Sequence, residues 1–463
     1  MVSPTFYPRE LTSGSTTRAP RDVTPSRRGP SATSFYTTLL VAGLGMGLTL
    51  GLPLVDGTWS EVHLQGGVMM FLGSITGLVG TYLALLMVVL ASRAPALERM
   101  LGQDGVIHWH RQLAPWTILL IAAHAVLLTF AYAESAHQGA WAEFGTLLRT
   151  FPNMVTATVA LGIMLLIGLV SIRQIRTRIP RERWWLLHLL MYAALILVFA
   201  HEVVLGPSFV RHPVAQVSWT VAWLLAAALM LTYRVGVPLY RSLHHRLRIV
   251  AVTPEGSGVV SIVLEGRDLE HLAISGGQFF EWRILTPTMW WQAHPFTVSA
   301  LPQPPYMRIT VQATGSFTRA LAHVPVGTSV AIEGPYGAFT VHAQRRRHSL
   351  LIAGGVGVTA VRSLLEDLPP KSRPVVVLRA TRDDELFLAD EVEELVRFRK
   401  GVTHRLVGSR RQVPMEMIAQ LVPDIAKRDV YVSGSVEFVH AAMSMARRAG
   451  VAPDALHHEA YAI

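Results

Sequence analysis

The chain has 463 residues, 51% of them hydrophobic, with a formal net charge of +10 and a mean hydropathy of +0.37. It is too apolar for an ordinary soluble protein and long enough for more than one domain. Cysteine is absent, which excludes disulfides, thiolate metal sites and cysteine-ligated iron–sulfur clusters, and no basic strip interleaved with aromatics marks a nucleic-acid partner.

Residues 1–34, rich in Pro, Ser, Thr and Arg and without apolar periodicity, read as a disordered tail. That tail is too long for a signal-peptide n-region, so the first apolar run is expected to be a retained span. Apolar segments long enough to cross a bilayer fall near 35–55, 66–91, 113–133, 154–172, 185–205 and 214–233. They predict an all-α membrane bundle of six helices over residues 35–240. The tail, the second-to-third connection, the stretch from Ser171 to Arg183 and the stretch from Arg234 to Arg248 belong on the cytoplasmic side, the basic ones by their Lys and Arg. The connections around Asp56 and Glu61 and from Glu134 to Glu143 are poor in Lys and Arg, as external loops are. Both termini are then cytoplasmic, the lipid bilayer is a partner, and the net charge reads as a basic rim facing anionic lipid.

Inside these spans lie His110 and His124 in the third and His188 and His201 in the fifth. A titratable ring in hydrocarbon is costly unless partnered, so four of them matched two by two point to a site. Neutral imidazole is a common iron ligand, and one ligand from each of two facing helices would hold a haem edge-on in a bundle. With no cysteine, such a haem must be non-covalent. Fourteen residues separate His110 from His124, so in one helix the rings face nearly the same way with a rise of about 21 Å. Thirteen separate His188 from His201, which leaves that pair out of phase and calls for a local distortion or a coiled path. His108 competes with His110, but its sixteen-residue spacing from His124 places it further out of phase and nearer the boundary.

From about residue 246 the pattern becomes short alternating runs separated by Gly and Pro. The runs 248–253, 259–264, 278–282, 307–312 and 329–333 predict a small antiparallel β-barrel over residues 246–341. Beyond it, over residues 342–463, strand and helix alternate: Leu350–Ala353, then a helix to about Leu368; Val375–Leu378, then a helix through Glu391 to Phe398; Val430–Val432, then a helix from about Glu437 to Arg448. This is the rhythm of a doubly wound α/β domain. The turn containing Gly354, Gly355, Gly357 and Thr359 stands where backbone N–H groups and a helix N-terminus cradle a pyrophosphate. After the second strand, Arg379 and Arg382 favour a 2′-phosphate, hence NADPH over NADH, unless they are solvated or paired with Asp383 and Asp384.

These residues together resemble the flavocytochromes of the ferric reductase and NADPH oxidase superfamily, over about residues 35–463. The resemblance implies two haems b held by His pairs from the third and fifth spans, followed by a ferredoxin-reductase-like module. His294, Pro295, Phe296, Thr297, Val298 and Ser299 resemble the motif that lies along the isoalloxazine and ribityl of FAD. Gly315, Phe317 and Thr318 resemble the segment at the FAD pyrophosphate, and Gly334, Tyr336 and Gly337 the turn near flavin and nicotinamide. Tyr461 stands where the family's closing strand carries the aromatic that covers the flavin until nicotinamide displaces it, a catalytic role. Ser433-Gly434-Ser435 stands where the family commonly has Cys-Gly-Pro beside the nicotinamide. Superoxide-producing members often have a His one turn beyond the outer ligand, where this chain has Leu128.

The expectation is an enzyme of the plasma membrane that passes electrons from cytosolic NADPH through FAD and two haems to an external acceptor, ferric or cupric ion. Both ligand helices would run from inside to outside, pairing His110 with His188 at the inner haem and His124 with His201 at the outer. An oxidase acting on oxygen is one alternative. A transporter or anchor fused to a flavin reductase is another.

Overall fold

A computed structural model describes residues 32–461, except 56, 102, 211, 370–371 and 410. Of the tail, residues 1–31 lie outside the described residues. The chain divides after Val235 into two units.

The first unit contains helices α1 (Ala32–Val55), α2 (Gly67–Ala91), α3 (Gln103–Ser135), α4 (Ala140–Thr150), α5 (Met154–Ser171), α6 (Arg181–Leu205) and α7 (Pro213–Leu231). Together with α8 (Val237–His245), which extends α7 along the chain, they supply six helices long and apolar enough to cross a membrane. They are apolar all round, as a helix with lipid on its outer side must be. The short α4 falls within the stretch read as an external loop; its amphipathic sequence buries Glu143 and Leu147 and leaves Trp141 exposed.

Helices α2 and α3 pack closely because α2 carries glycines where they meet. A Cβ on Gly73 would lie 2.6 Å from Leu128, one on Gly80 would lie 2.8 Å from Ile121, and one on Gly77 would strike the His124 ring. Small residues let helix backbones approach where no hydrophobic effect drives them together. A second contact joins α6 and α7, where Trp219 Nε1 donates to buried Glu202 Oε1 at 2.9 Å.

The second unit begins with α8 and a six-stranded antiparallel sheet: β1 (Arg248–Gly256), β2 (Val259–Glu265), β3 (Phe279–Ile284), β4 (His294–Gln303), β5 (Tyr306–Gln312) and β6 (Val330–Tyr336). Their order is β1-β2-β5-β4-β3-β6. A bridge from Arg248 to Ser329 closes the sheet on itself, which removes its free edges. Alternate residues of the strands fill the interior, with Phe280, Trp282, Ile262, Val298 and Ile309 buried among them.

The chain then forms β7 (Ser349–Gly354), β8 (Val375–Ala380), β9 (Val402–Val407), β10 (Asp429–Ser435) and β11 (Leu456–Tyr461), a parallel sheet in the order β11-β10-β7-β8-β9. The short α9 (Ser316–Leu321) lies between β5 and β6 of the barrel, and α10 (Val358–Asp367), α11 (Ala389–Phe398) and α12 (Val436–Arg448) run between the strands of the α/β part. Helices α10 and α11 pack on one face of the sheet and α12 on the other. Strand order reverses between β7 and β10, the crevice where doubly wound sheets bind nucleotides. The fold class read from the sequence, membrane bundle then antiparallel barrel then doubly wound α/β, is the one observed. Strand β9 was not among the expected elements: it is an edge strand whose Thr403-His404-Arg405 hides the apolar alternation.

Candidate functional site

In the membrane unit, α3 and α6 bring the histidines together as two pairs. The His110 and His188 ring centres lie 6.2 Å apart, those of His124 and His201 6.5 Å. An imidazole–metal bond of about 2 Å plus about 1.1 Å from nitrogen to ring centre places two rings facing across one ion about 6.2 Å apart. The residues present therefore fit a bis-histidine haem at each pair. His124 Nδ1 lies 2.8 Å from the Gly73 carbonyl, an arrangement in which Nδ1–H donates and Nε2 keeps its lone pair for a metal, as ligating imidazoles are usually set. His188 and His201 each keep a buried Nδ1 with no hydrogen-bond partner among the described residues.

The thirteen-residue offset did not require a break. Helix α6 is α-helical throughout Arg181–Leu205, so at 3.6 residues per turn its two imidazoles leave the axis about 140° apart.

In the second unit the motif on β4 is split by strand alternation. His294 stacks on Phe317 at 3.8 Å, with Phe296 6.3 Å from the same ring. Phe317 belongs to α9, where the Gly315 N–H donates to Thr318 Oγ1 at 2.9 Å. Thr297 faces the C-terminal strand: its hydroxyl donates to Glu459 Oε1 at 3.1 Å and shares a 3.0 Å hydrogen bond with the Tyr461 hydroxyl. Val298 and Ser299 are wholly buried. Ser299 Oγ accepts from Arg308 Nε at 3.1 Å and from Thr310 at 2.9 Å. Its hydroxyl lies on the face of β4 opposite Val298, toward Arg308 and Thr310. Burial, then the Glu459 charge, raises the Tyr461 phenol well above its ordinary range against the lowering effect of the surrounding hydroxyls. It is therefore a neutral donor at working pH. Gly334 near the end of β6 has φ 140° and Gly337 just after it φ 101°, values that favour glycine. Tyr336 donates its hydroxyl to Glu333 at 2.9 Å and is buried.

The glycine turn after β7 sits at the switch point. Gly355 has φ 53°, and a Cβ on Gly357 would collide with the Ser433 carbonyl at the end of β10. Gly354 and Gly434 both lie against the Phe438 ring, where added Cβ atoms would come within 2.9 and 2.7 Å. Thr359 Oγ1 donates to the Val356 carbonyl at 3.0 Å. A crevice beside this turn is lined by Ala353, Gly355, Val358, Leu378, Arg379 and Phe387.

The two arginines offered for a 2′-phosphate are both engaged. Arg379 donates to the carbonyls of Leu406, Ser409 and Val413 at 3.1–3.2 Å, because β8 ends beside the loop that leaves β9. Arg382 pairs with Asp384 at 3.2 Å and Glu385 at 2.9 Å. These surface pairs are weak and open to exchange, so Arg382, not Arg379, is the side chain a phosphate could recruit.

Reading by residue type overlooked Gly73 and Gly77, Trp184 and Glu459. The glycines were legible as a small-residue face on α2; the other two show only in contact with His188 and Thr297.

Residues 76–199 match the family described as ferric reductase like transmembrane component, and residues 245–340 match an FAD-binding domain family. The Bacillus subtilis (strain 168) flavohemoprotein is 24% identical over 45% of this chain and 56% of its own. Ferric/cupric reductase transmembrane component 1 of Candida albicans (strain SC5314 / ATCC MYA-2876) is 26% identical over 64% of this chain and 38% of its own. NADPH oxidase 3 of Rattus norvegicus is 27% identical over 32% of this chain and 27% of its own. The chain thus spans roughly half or less of these relatives' lengths.

Six apolar helices followed by a flavin-binding barrel and a nucleotide-type α/β sheet define a multi-pass membrane flavoprotein. In order along the chain, the first part is similar to a ferric reductase like transmembrane component and the next to an FAD-binding domain, and the relatives it resembles include ferric reductases and NADPH oxidases.

Proposed function

We propose that the protein is a plasma-membrane reductase that takes electrons from cytosolic NADPH and delivers them to ferric or cupric ion on the external side, with both termini cytoplasmic. The observation that carries this reading is the pair of imidazole pairs at 6.2 and 6.5 Å on α3 and α6, in a chain that also matches an FAD-binding domain. His110 with His188, and His124 with His201, would hold the two haems b. The motif from His294 to Thr297, with Phe317 and Tyr461, would hold FAD. The Gly354–Gly357 turn, with Thr359, Gly434 and Arg382, would hold the nucleotide. FAD takes a hydride and releases single electrons, and haem iron passes single electrons onward, so the cofactors carry the redox chemistry and the protein supplies position. The balance is one NADPH and two ferric ions giving NADP⁺, one proton and two ferrous ions.

The chain's own residues set access and order. Tyr461, hydrogen-bonded to Thr297, would cover the flavin and would have to move for a nicotinamide ring to reach it. Gly355 leaves the backbone bare where the nucleotide would approach, while Gly357 and Gly434 let the turn pack tightly against the end of β10 and Phe438. Gly73 fixes the tautomer of His124.

The test is an absorbance spectrum of the detergent-purified protein before and after NADPH. The expected result is a b-type Soret band and a flavin envelope, both bleached or shifted on reduction. Flavin reduction without haem reduction rejects the electron path, and a protein without a Soret band rejects the haems. Leu128, where oxidases often carry a histidine, favours a metal acceptor. Superoxide formation that is unaffected by a ferric chelate would assign the protein to oxygen instead.

A further inference from the structure

The two histidines of α6 are not held as His124 is. His124 has the Gly73 carbonyl on Nδ1 at 2.8 Å, whereas the buried Nδ1 of His188 has no hydrogen-bond partner among the described residues. Ligating imidazoles usually have their ring plane fixed by a hydrogen bond on the second nitrogen, and for His188 a different contact is in place. One turn earlier on α6, the indole of Trp184 lies on the His188 ring with centres 4.8 Å apart and planes 23° from parallel. That indole is itself anchored: Trp184 Nε1 donates to Ser171 Oγ at the end of α5 at 3.2 Å. Arg176 in the basic connection places its guanidinium 4.4 Å from the Trp184 ring centre and ties itself down by a 3.2 Å bond to the Ile179 carbonyl. The three side chains form one stack that starts at a cation and ends at a metal-ligand imidazole.

We propose that Trp184 is the positioning residue of His188, replacing the missing hydrogen bond by face-to-face contact, and that Arg176 through this stack raises the electron affinity of the inner iron site. The inference rests on the haem reading above. Stacking restricts rotation of the imidazole about its Cβ–Cγ bond, which a lone side chain in lipid-like surroundings would retain. A cation over the aromatic face is attracted by its negative quadrupole. Its field favours the less positive, reduced form of iron held by the next ring, and the low dielectric leaves that field poorly screened. The outer pair has no equivalent: among the described residues, no aromatic side chain stacks face to face on His201.

Full-length protein in detergent tests this by low-temperature electron paramagnetic resonance of the oxidised state and by potentiometric titration of the two haem components. Trp184→Phe keeps the stack and should match wild type in both. Trp184→Ala should shift or broaden one of the two low-spin signals and leave the other in place. Arg176→Gln should retain both haems with wild-type signals and move only one midpoint, to a more negative potential. The untouched outer component serves as the control for folding; if Trp184→Ala loses both haems, the Arg176→Gln midpoint decides. Two wild-type haems whose signals and midpoints are unchanged in Trp184→Ala and Arg176→Gln overturn this inference alone. A wild-type protein without haem overturns the haem reading and this inference with it.

Discussion

At Gly77 a single methyl group would occupy the volume taken by the His124 imidazole, so the pairing of His124 with His201 depends on a residue that offers no chemistry of its own. Over-packing of this kind costs about 1–3 kcal/mol where the neighbours can yield, but here the neighbour is a ring whose Nδ1 is already tied to Gly73. Gly77→Ala is expected to lower haem content from two to about one per chain while the inner pair stays loaded; a pyridine haemochrome assay reads this directly. On the nucleotide side, Arg382 is exposed and paired only with neighbouring carboxylates. Arg382→Ala should raise KM for NADPH about tenfold, the roughly 1.4 kcal/mol of one charge-assisted bond, and leave KM for NADH unchanged. Equal effects on both nucleotides would remove Arg382 from 2′-phosphate recognition.

Between elements, β5 and α10 of the second unit are joined by one carboxylate of α11. Arg308, on β5 and buried, meets Glu391 through both nitrogens at 2.9 and 2.7 Å. Arg362 on α10 adds a 2.6 Å bond to Glu391 and a 2.8 Å bond to Glu366 and donates to the Ser299 carbonyl at 3.0 Å. The barrel strand that bears the flavin motif is thereby pinned to the nucleotide-side helices. Burial pushes the Glu391 carboxyl up, but Arg308 and Arg362 outweigh it and hold the group down at about 2. A depressed folded value means that this contribution is complete above the unfolded range, near pH 4.5, and disappears as pH falls through about 2. Thermal unfolding of the second unit, followed by flavin release from the full chain, should be flat above about pH 5 and decline below it. Glu391→Gln leaves buried Arg308 without its counter-charge. The expected loss is about 2 kcal/mol, less than for a fully buried pair because part of Glu391 meets solvent, and the acid limb of the pH profile should flatten.

Across the whole molecule, the residues proposed for flavin reduction and those proposed for transmembrane delivery belong to different units of the chain, so the two activities should separate on mutation. Alanine at His110 or His188 should remove the inner haem, and alanine at His124 or His201 the outer. Each should abolish NADPH-driven reduction of an external ferric chelate. Reduction of a soluble dye that takes electrons at the flavin should persist within about threefold of wild type, because none of these rings belongs to the flavin-binding unit. Loss of dye reduction in all four variants would contradict a path with a separable first step.

What the amino-acid order determined by itself was whatever local composition and period carry: six apolar segments, an antiparallel then a parallel rhythm, four histidines at two depths, and glycines at a strand-to-helix turn. These signals lie within one helix, strand or loop, and physical chemistry reads them without knowing the neighbours. Tertiary structure decided the rest, because it concerns groups far apart in the chain. It set Ser299 against Arg308, spent Arg379 on the carbonyls after β9, and brought Glu459 and Tyr461 to Thr297. It set Trp184 on His188 and let an unbroken α6 serve both pairs in spite of its thirteen-residue offset. Whether a polar side chain is free for a ligand depends on which other polar groups surround it after folding, and periodicity does not encode that.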